Sequence, residues 1–176
     1  MIHKMIYMPL FILLFAVTEL FSAQGYMGVG YTSLQQQNDT QKDNDGYTLD
    51  MGVRFDTTIK QRAGMEYLYT NISDFHSGVG NSINFYYEAG YEIFTHLIVM
   101  AKVGYSFEEV DRIGSGSTST GVYAHGLCYG AGGYYDITRN WSVALEYTTF
   151  DLSYDLFSTT LDHDFDAIGV KVFYNF

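Results

Sequence analysis

Nine charged residues stand at positions flanked almost entirely by apolar neighbours: Asp50, Arg54, Glu66, Glu88, Glu92, Lys102, Glu108, Glu146 and Lys171. Three are cations and six are acids, so side chains of this kind on one face of an extended segment can form an internal ion-pair network. Buried ion pairs are costly unless every partner is well placed. Arg54, Lys102 and Lys171 are therefore each expected near a Glu. A packed, salt-bridged interior is the leading reading of this set, and the lining of a small cation-preferring pore is the second.

Other residues able to do chemistry are fewer. The run Leu161–Asp166 concentrates acids around one imidazole, which makes Asp162, His163 and Asp164 weak candidates for a divalent cation. A solvated acidic loop explains the same run, and no metal is expected. Gly130, Gly132 and Gly133 lack the Lys and the following helix of a phosphate loop, and they fit strand bending or close packing instead. Cys128 is the single cysteine, so it forms no intrachain disulfide, and the Cys and His spacing matches no structural zinc site. No cofactor is expected.

The chain has 176 residues, enough for one domain, and a formal net charge of -11, which excludes the basic surface that nucleic-acid binding needs. Aromatics reach 18%, with 17 Tyr and 13 Phe, while charged residues are only 16%. Its one proline is Pro9. A chain rich in Tyr, Phe and Gly, and free of Pro beyond its start, suits long uninterrupted strands, because Pro cannot donate to a sheet ladder.

Residues 1–23 read as a cleaved signal peptide. Lys4 supplies the positive start, Met5 to Val17 the apolar run, and Ser22-Ala23 the small residues before cleavage at Gln24. The run is shorter than the roughly 20 residues of a transmembrane helix. Phe21 stands where a small residue is preferred, which leaves the cleavage site open by a few positions. Residues 24–176 form the expected domain.

Beyond residue 24 the apolar period is two. Met27, Val29 and Tyr31 alternate with Gly28, Gly30 and Thr32; Leu49, Met51 and Val53 alternate with Asp50, Gly52 and Arg54; Ile168, Val170, Val172, Tyr174 and Phe176 alternate with Ala167, Gly169, Lys171, Phe173 and Asn175. The same pattern repeats in about eight segments of roughly ten residues. Short turns are expected near 58–60, 94–96 and 136–140, and long polar loops at 35–45, 73–81, 109–121 and 151–164. The expected fold is all-β: an eight-stranded antiparallel up-and-down transmembrane β-barrel.

Alternation alone does not separate this barrel from a soluble one with its apolar face inside. The small-and-charged face decides, because so much Gly makes a poor soluble exterior but suits a cramped lumen. Tyr and Phe also cluster at strand ends, as interfacial girdles do. In hydrocarbon every backbone group must be paired, so the sheet must close on itself. Eight strands leave an interior that side chains can just fill.

The closing segment Lys171-Val172-Phe173-Tyr174-Asn175-Phe176 resembles the C-terminal signature of bacterial outer-membrane proteins, and the whole mature chain resembles the small OmpA/OmpX-like barrels of the "outer membrane protein beta-barrel domain" group. The resemblance implies residence in the outer membrane of a Gram-negative bacterium. It makes Val172, Tyr174 and Phe176 an assembly signal read by the barrel-assembly machinery. Outer-membrane lipid and lipopolysaccharide are the implied surroundings, and an extracellular ligand or host surface is the implied partner of the outer loops. No cell-wall-binding domain is expected after the barrel. The implied role is structural or surface-interacting, with envelope integrity and adhesion as candidates, and a narrow channel is the alternative. Some barrels of this size are lipid A deacylases, carrying His-x-Ser-Asn. Here His125 has Leu127 two positions on, although Ser117 and Ser119 lie near, so no enzymatic activity is expected.

Overall fold

The computed structural model describes residues 23–36, 43–70, 80–110, 122–156 and 159–176. The proposed signal segment therefore lies outside the described residues, except for Ala23. The described chain forms eight strands: β1 (Ala23–Gln36), β2 (Asp43–Asp56), β3 (Lys60–Thr70), β4 (Ser82–Phe94), β5 (Leu97–Val110), β6 (Val122–Asp136), β7 (Trp141–Leu156) and β8 (Thr159–Asn175). Each pairs antiparallel with its sequence neighbour, and β1 pairs with β8 from Tyr26↔Asn175 to Gln36↔Phe165, so the sheet closes. Closure removes every sheet edge along this seam.

The alternation in the sequence is the alternation of the wall. Met27, Val29, Leu49, Val103, Leu145, Ile168 and Val170 are all 41–61% exposed on the outside. Asp50, Glu66, Glu88, Lys102, Glu146 and Lys171, which stand in the opposite phase, are 0–6% exposed inside. A one-residue slip would exchange the two sets, so the register is strongly specified. Aromatic side chains bound the outer apolar belt at both ends. Tyr31, Tyr47 and Tyr69 share one cross-strand row at one end, and Tyr91, Phe94, Tyr135, Trp141, Tyr174 and Phe176 stand at the other.

Three connections are short, at 57–59, 95–96 and 137–140, and lie at the same end as both Ala23 and Phe176. The tightest is Thr95-His96, where His96 takes a left-handed backbone (φ 71°) after a register shift between Glu92 and Phe94.

The opposite end differs from expectation. Residues 151–164 were expected to form a loop, yet β7 runs to Leu156 and β8 starts at Thr159, with pairs continuing from Asp151↔Asp164 to Leu156↔Thr159. Gln35 likewise pairs with Asp43, and Glu109 and Val110 extend β5. Apolar alternation marks only the part of a strand that faces lipid. Once the ladder passes the belt, its outward positions turn polar and the sequence reads as loop while the backbone bonds continue.

Candidate functional site

The lumen is filled in layers. Nearest the short-turn end, Arg54 donates to Asp56 Oδ1 at 2.9 Å and makes a bidentate pair with Asp136, at 2.9 and 2.7 Å. Ser142 donates to the same Asp136 at 2.7 Å. Arg54 thus meets two aspartates rather than the expected Glu. Asp136 closes β6 at the rim, where its short side chain accepts the guanidinium fork.

The next layer is aromatic. The Arg62 guanidinium lies 4.1 Å from the Tyr26 ring centre, 4.7 Å from Tyr134 and 4.0 Å from Phe173, with Glu88 Oε2 at 4.0 Å. Desolvated cation–π contacts of this kind contribute about 2 kcal/mol. Tyr134 O–H donates to Glu88 at 2.7 Å and also bonds Glu146, while Tyr86 O–H donates to Asp50 at 3.1 Å.

At mid-height two lysines serve three acids. Lys102 Nζ lies 3.3 Å from both Glu66 and Glu146. Lys171 Nζ lies 3.3 Å from Asp50 and 2.8 Å from Glu146, and contacts Glu66 as well. Asn84 Nδ2 donates to Glu66 at 2.9 Å. Five strands supply this cluster, so it holds together residues up to 121 positions apart. Attraction at low effective dielectric offsets desolvation here because each charge meets several partners.

Above the charges, Leu34, Leu68, Ala124, Cys128, Phe150, Leu152, Phe165 and Ala167 form an apolar plug, with Phe150 and Phe165 stacked at 4.4 Å. Between charge layer and plug lies a cavity of about 10 Å³ lined by Thr32, Thr48, Glu66, Glu146, Thr148 and Lys171. That is room for about one water. The hydroxyls of Thr32 and Thr48 have no protein partner there.

Residues 10–176 match the family described as "Outer membrane protein beta-barrel domain". The chain belongs to this family. Solved structures of similar fold include Ail of Yersinia pestis in complex with the heparin analogue sucrose octasulfate (TM-score 0.59, 16% identity, 88% of this chain and 99% of that one). Neisserial surface protein A is similar at TM-score 0.52 and 14% identity over 88% of this chain and 99% of that one. Outer membrane protein H of P. aeruginosa, in micelles, gives TM-score 0.52 and 17% identity over 87% and 99%. No curated protein matches the chain. It is an integral outer-membrane β-barrel of a Gram-negative bacterium. The short-turn end is then periplasmic, as family architecture requires.

Of the nine charged positions read from sequence, Asp50, Glu66, Glu88, Lys102, Glu146 and Lys171 meet in the central network, and Arg54 joins the periplasmic rim. Glu92 does not: it is exposed beside the β4–β5 turn and accepts from His96 N at 2.9 Å. Glu92 keeps the inward phase, opposite buried Ile98, but stands at the rim next to the turn, past the packed lumen. Glu108 is inward but sits beside the plug, opposite Ala124 and apart from the lysines, 3.1 Å from His163 Nε2. The trio Asp162, His163, Asp164 is split by the pleat. His163 points inward at 6% exposure, while Asp162 and Asp164 face out, so the three do not converge on one metal.

Arg62, His163 and Asp136 join the interior although they are not among the nine positions. Arg62 stands in phase with Glu66, four positions on, so the signal was present. His163 stands in phase with Phe165 and Lys171, but it was assigned to a loop where phase has no meaning. His125 faces outward, as an interfacial residue does, stacked on Tyr105 with its O–H 2.9 Å from Nδ1. Its register neighbour is Ser153, but the bond His125 makes is to Tyr105. Ser117 and Ser119 lie outside the described residues. Val172, Tyr174 and Phe176 line the outer face of β8 at 39%, 42% and 65% exposure.

Proposed function

We propose that this barrel is a closed scaffold whose extracellular end binds a surface or soluble partner, and that it adds rigidity to the envelope. The filled lumen carries this reading: four layers of side chains occupy the interior, so what is left to meet a partner is the outer rim. Rigid scaffolds place recognition on their connecting segments. The segments between β1 and β2, β3 and β4, and β5 and β6, together with the β7–β8 hairpin, are the recognition elements. No catalytic role is assigned to any of them.

The rim chemistry narrows the partner. Among the described residues, Asp45, Glu109, Asp151, Asp155 and Asp162 are exposed at that end, and no Lys or Arg is. The exposed acids of the described rim fit a neutral or basic surface. Lipopolysaccharide phosphates would approach through bridging cations. Val172, Tyr174 and Phe176 are assigned to the barrel-assembly machinery, because they present an unbroken apolar row on the last strand.

The test is adhesion of cells expressing the barrel, against cells in which the β5–β6 segment and the tip of the β7–β8 hairpin are replaced by short Gly/Ser turns. Equal outer-membrane yield with lost adhesion supports the proposal. Unchanged adhesion to every surface that the parent cells bind refutes it.

A further inference from the structure

Among the described residues, four oxygens of fully buried side chains on β4 and β5 have no hydrogen-bond partner: Ser82 Oγ, Asn84 Oδ1, Ser106 Oγ and Glu108 Oε2. Their residues are 0–1% exposed. The register makes them one block, with Ser82 opposite Glu108 and Asn84 opposite Ser106. All four point inward, and directly opposed side chains on one face start about 5 Å apart. Next to them β6 contributes only small residues, Ala124 opposite Glu108 and Gly126 opposite Ser106.

The orientations are fixed by bonds on their far sides. Asn84 uses its amide nitrogen on Glu66, which commits its carbonyl oxygen to the other direction. Glu108 uses Oε1 on His163 Nε2 at 3.1 Å and on Gly80 N at 2.5 Å, which leaves Oε2 bare. The two lumen lysines are engaged with Asp50, Glu66 and Glu146 deeper in the barrel. Among the described residues, Glu108 is thus a carboxylate at 0% exposure whose one ionisable partner is His163. Even so, nothing among them serves Oε2 or the other three oxygens. Such orphaned acceptors each cost about 1–3 kcal/mol when left dry.

We propose that this block is a binding site for one hard monovalent cation of sodium size. Its donors are Glu108 Oε2, Asn84 Oδ1 and the hydroxyl oxygens of Ser82 and Ser106. Oxygen-only donors select a hard cation. One carboxylate balances a single positive charge, with water completing the shell, whereas calcium takes six to eight oxygens, usually with several carboxylates, and magnesium demands an octahedral set. A water alone would serve two acceptors but leave the carboxylate charge uncompensated.

The experiment compares the protein, purified from outer membranes into detergent micelles, in sodium chloride and in N-methylglucamine chloride at equal ionic strength, the latter cation being too large to enter. Sodium should raise the midpoint of the heat-induced gel-mobility change by about 2–4 °C. The shift should vanish in Glu108→Gln, shrink in Ser106→Ala and persist in Asp162→Asn, which alters only the outer face. Sodium NMR line broadening by the parent protein, relieved in Ser106→Ala, reads the same site if Glu108→Gln fails to fold. Equal midpoints in the two salts, or a shift unchanged in Glu108→Gln, would mean that the block holds water only and would overturn the assignment.

Discussion

At the scale of single residues, Lys171 is the hub of the interior, because one ammonium group touches Asp50, Glu66 and Glu146. Lys171→Ala leaves Glu66 and Glu146 sharing Lys102, and Asp50 with the Tyr86 hydroxyl but no contacting cation. Removing one partner from such a buried set costs about 3–5 kcal/mol, so the urea midpoint of the variant should fall well below that of the parent, as followed by Trp fluorescence. Lys171→Met combined with Asp50→Asn and Glu66→Gln should recover much of that loss, since the charges go together. Glu92→Gln is the matched control: an exposed carboxylate at a turn should change stability by no more than about 0.5 kcal/mol. The inward phase of Glu66, Lys102 and Lys171 was legible because each sits in a lipid-facing strand where alternation is strict. Which carboxylate meets which cation was not legible. That depends on the barrel's register and tilt, as Arg54 and Asp136 demonstrate across 82 positions.

Among the elements, the outer girdles have a measurable depth. Trp141 stands 48% exposed on the periplasmic side of the belt, with its ring 5.0 Å from Tyr174. Aromatic side chains of this kind settle at the headgroup boundary. In bilayers, lipids brominated near the headgroup should quench its emission more strongly than lipids brominated near the chain end, and the reverse order would displace the belt. The periplasmic seam has its own contact. A Cβ on Gly25 would lie 2.5 Å from the Phe176 ring, whose backbone N–H donates to Gly25 at 2.9 Å. Gly25→Val should therefore lower the yield of heat-modifiable barrel, much as Phe176→Ala should. Strand number and the three short turns were readable, since Thr, and Asn140 in the last of them, punctuate the alternation there. The length of the β7–β8 hairpin was not. Its outward residues above the belt, Thr149, Asp151, Ser153 and Asp155, are as polar as any loop, and only ladder pairing reveals them as strand.

For the molecule as a whole, a lumen filled by an arginine–tyrosine layer, a lysine–carboxylate layer and a phenylalanine plug should not conduct. Purified barrel in planar bilayers should give no discrete current steps, and regular steps would return the channel reading to the front. The place of Lys171 also bears on how the barrel yields to mechanical load. It sits on β8, the strand that closes the seam, and its partners Asp50, Glu66 and Glu146 lie on β2, β3 and β7. Peeling β8 away by its end would cut every one of these links together with two backbone ladders. A force trace drawn from the C-terminal end should thus show its tallest peak first, and the remaining hairpins should come out against much weaker resistance.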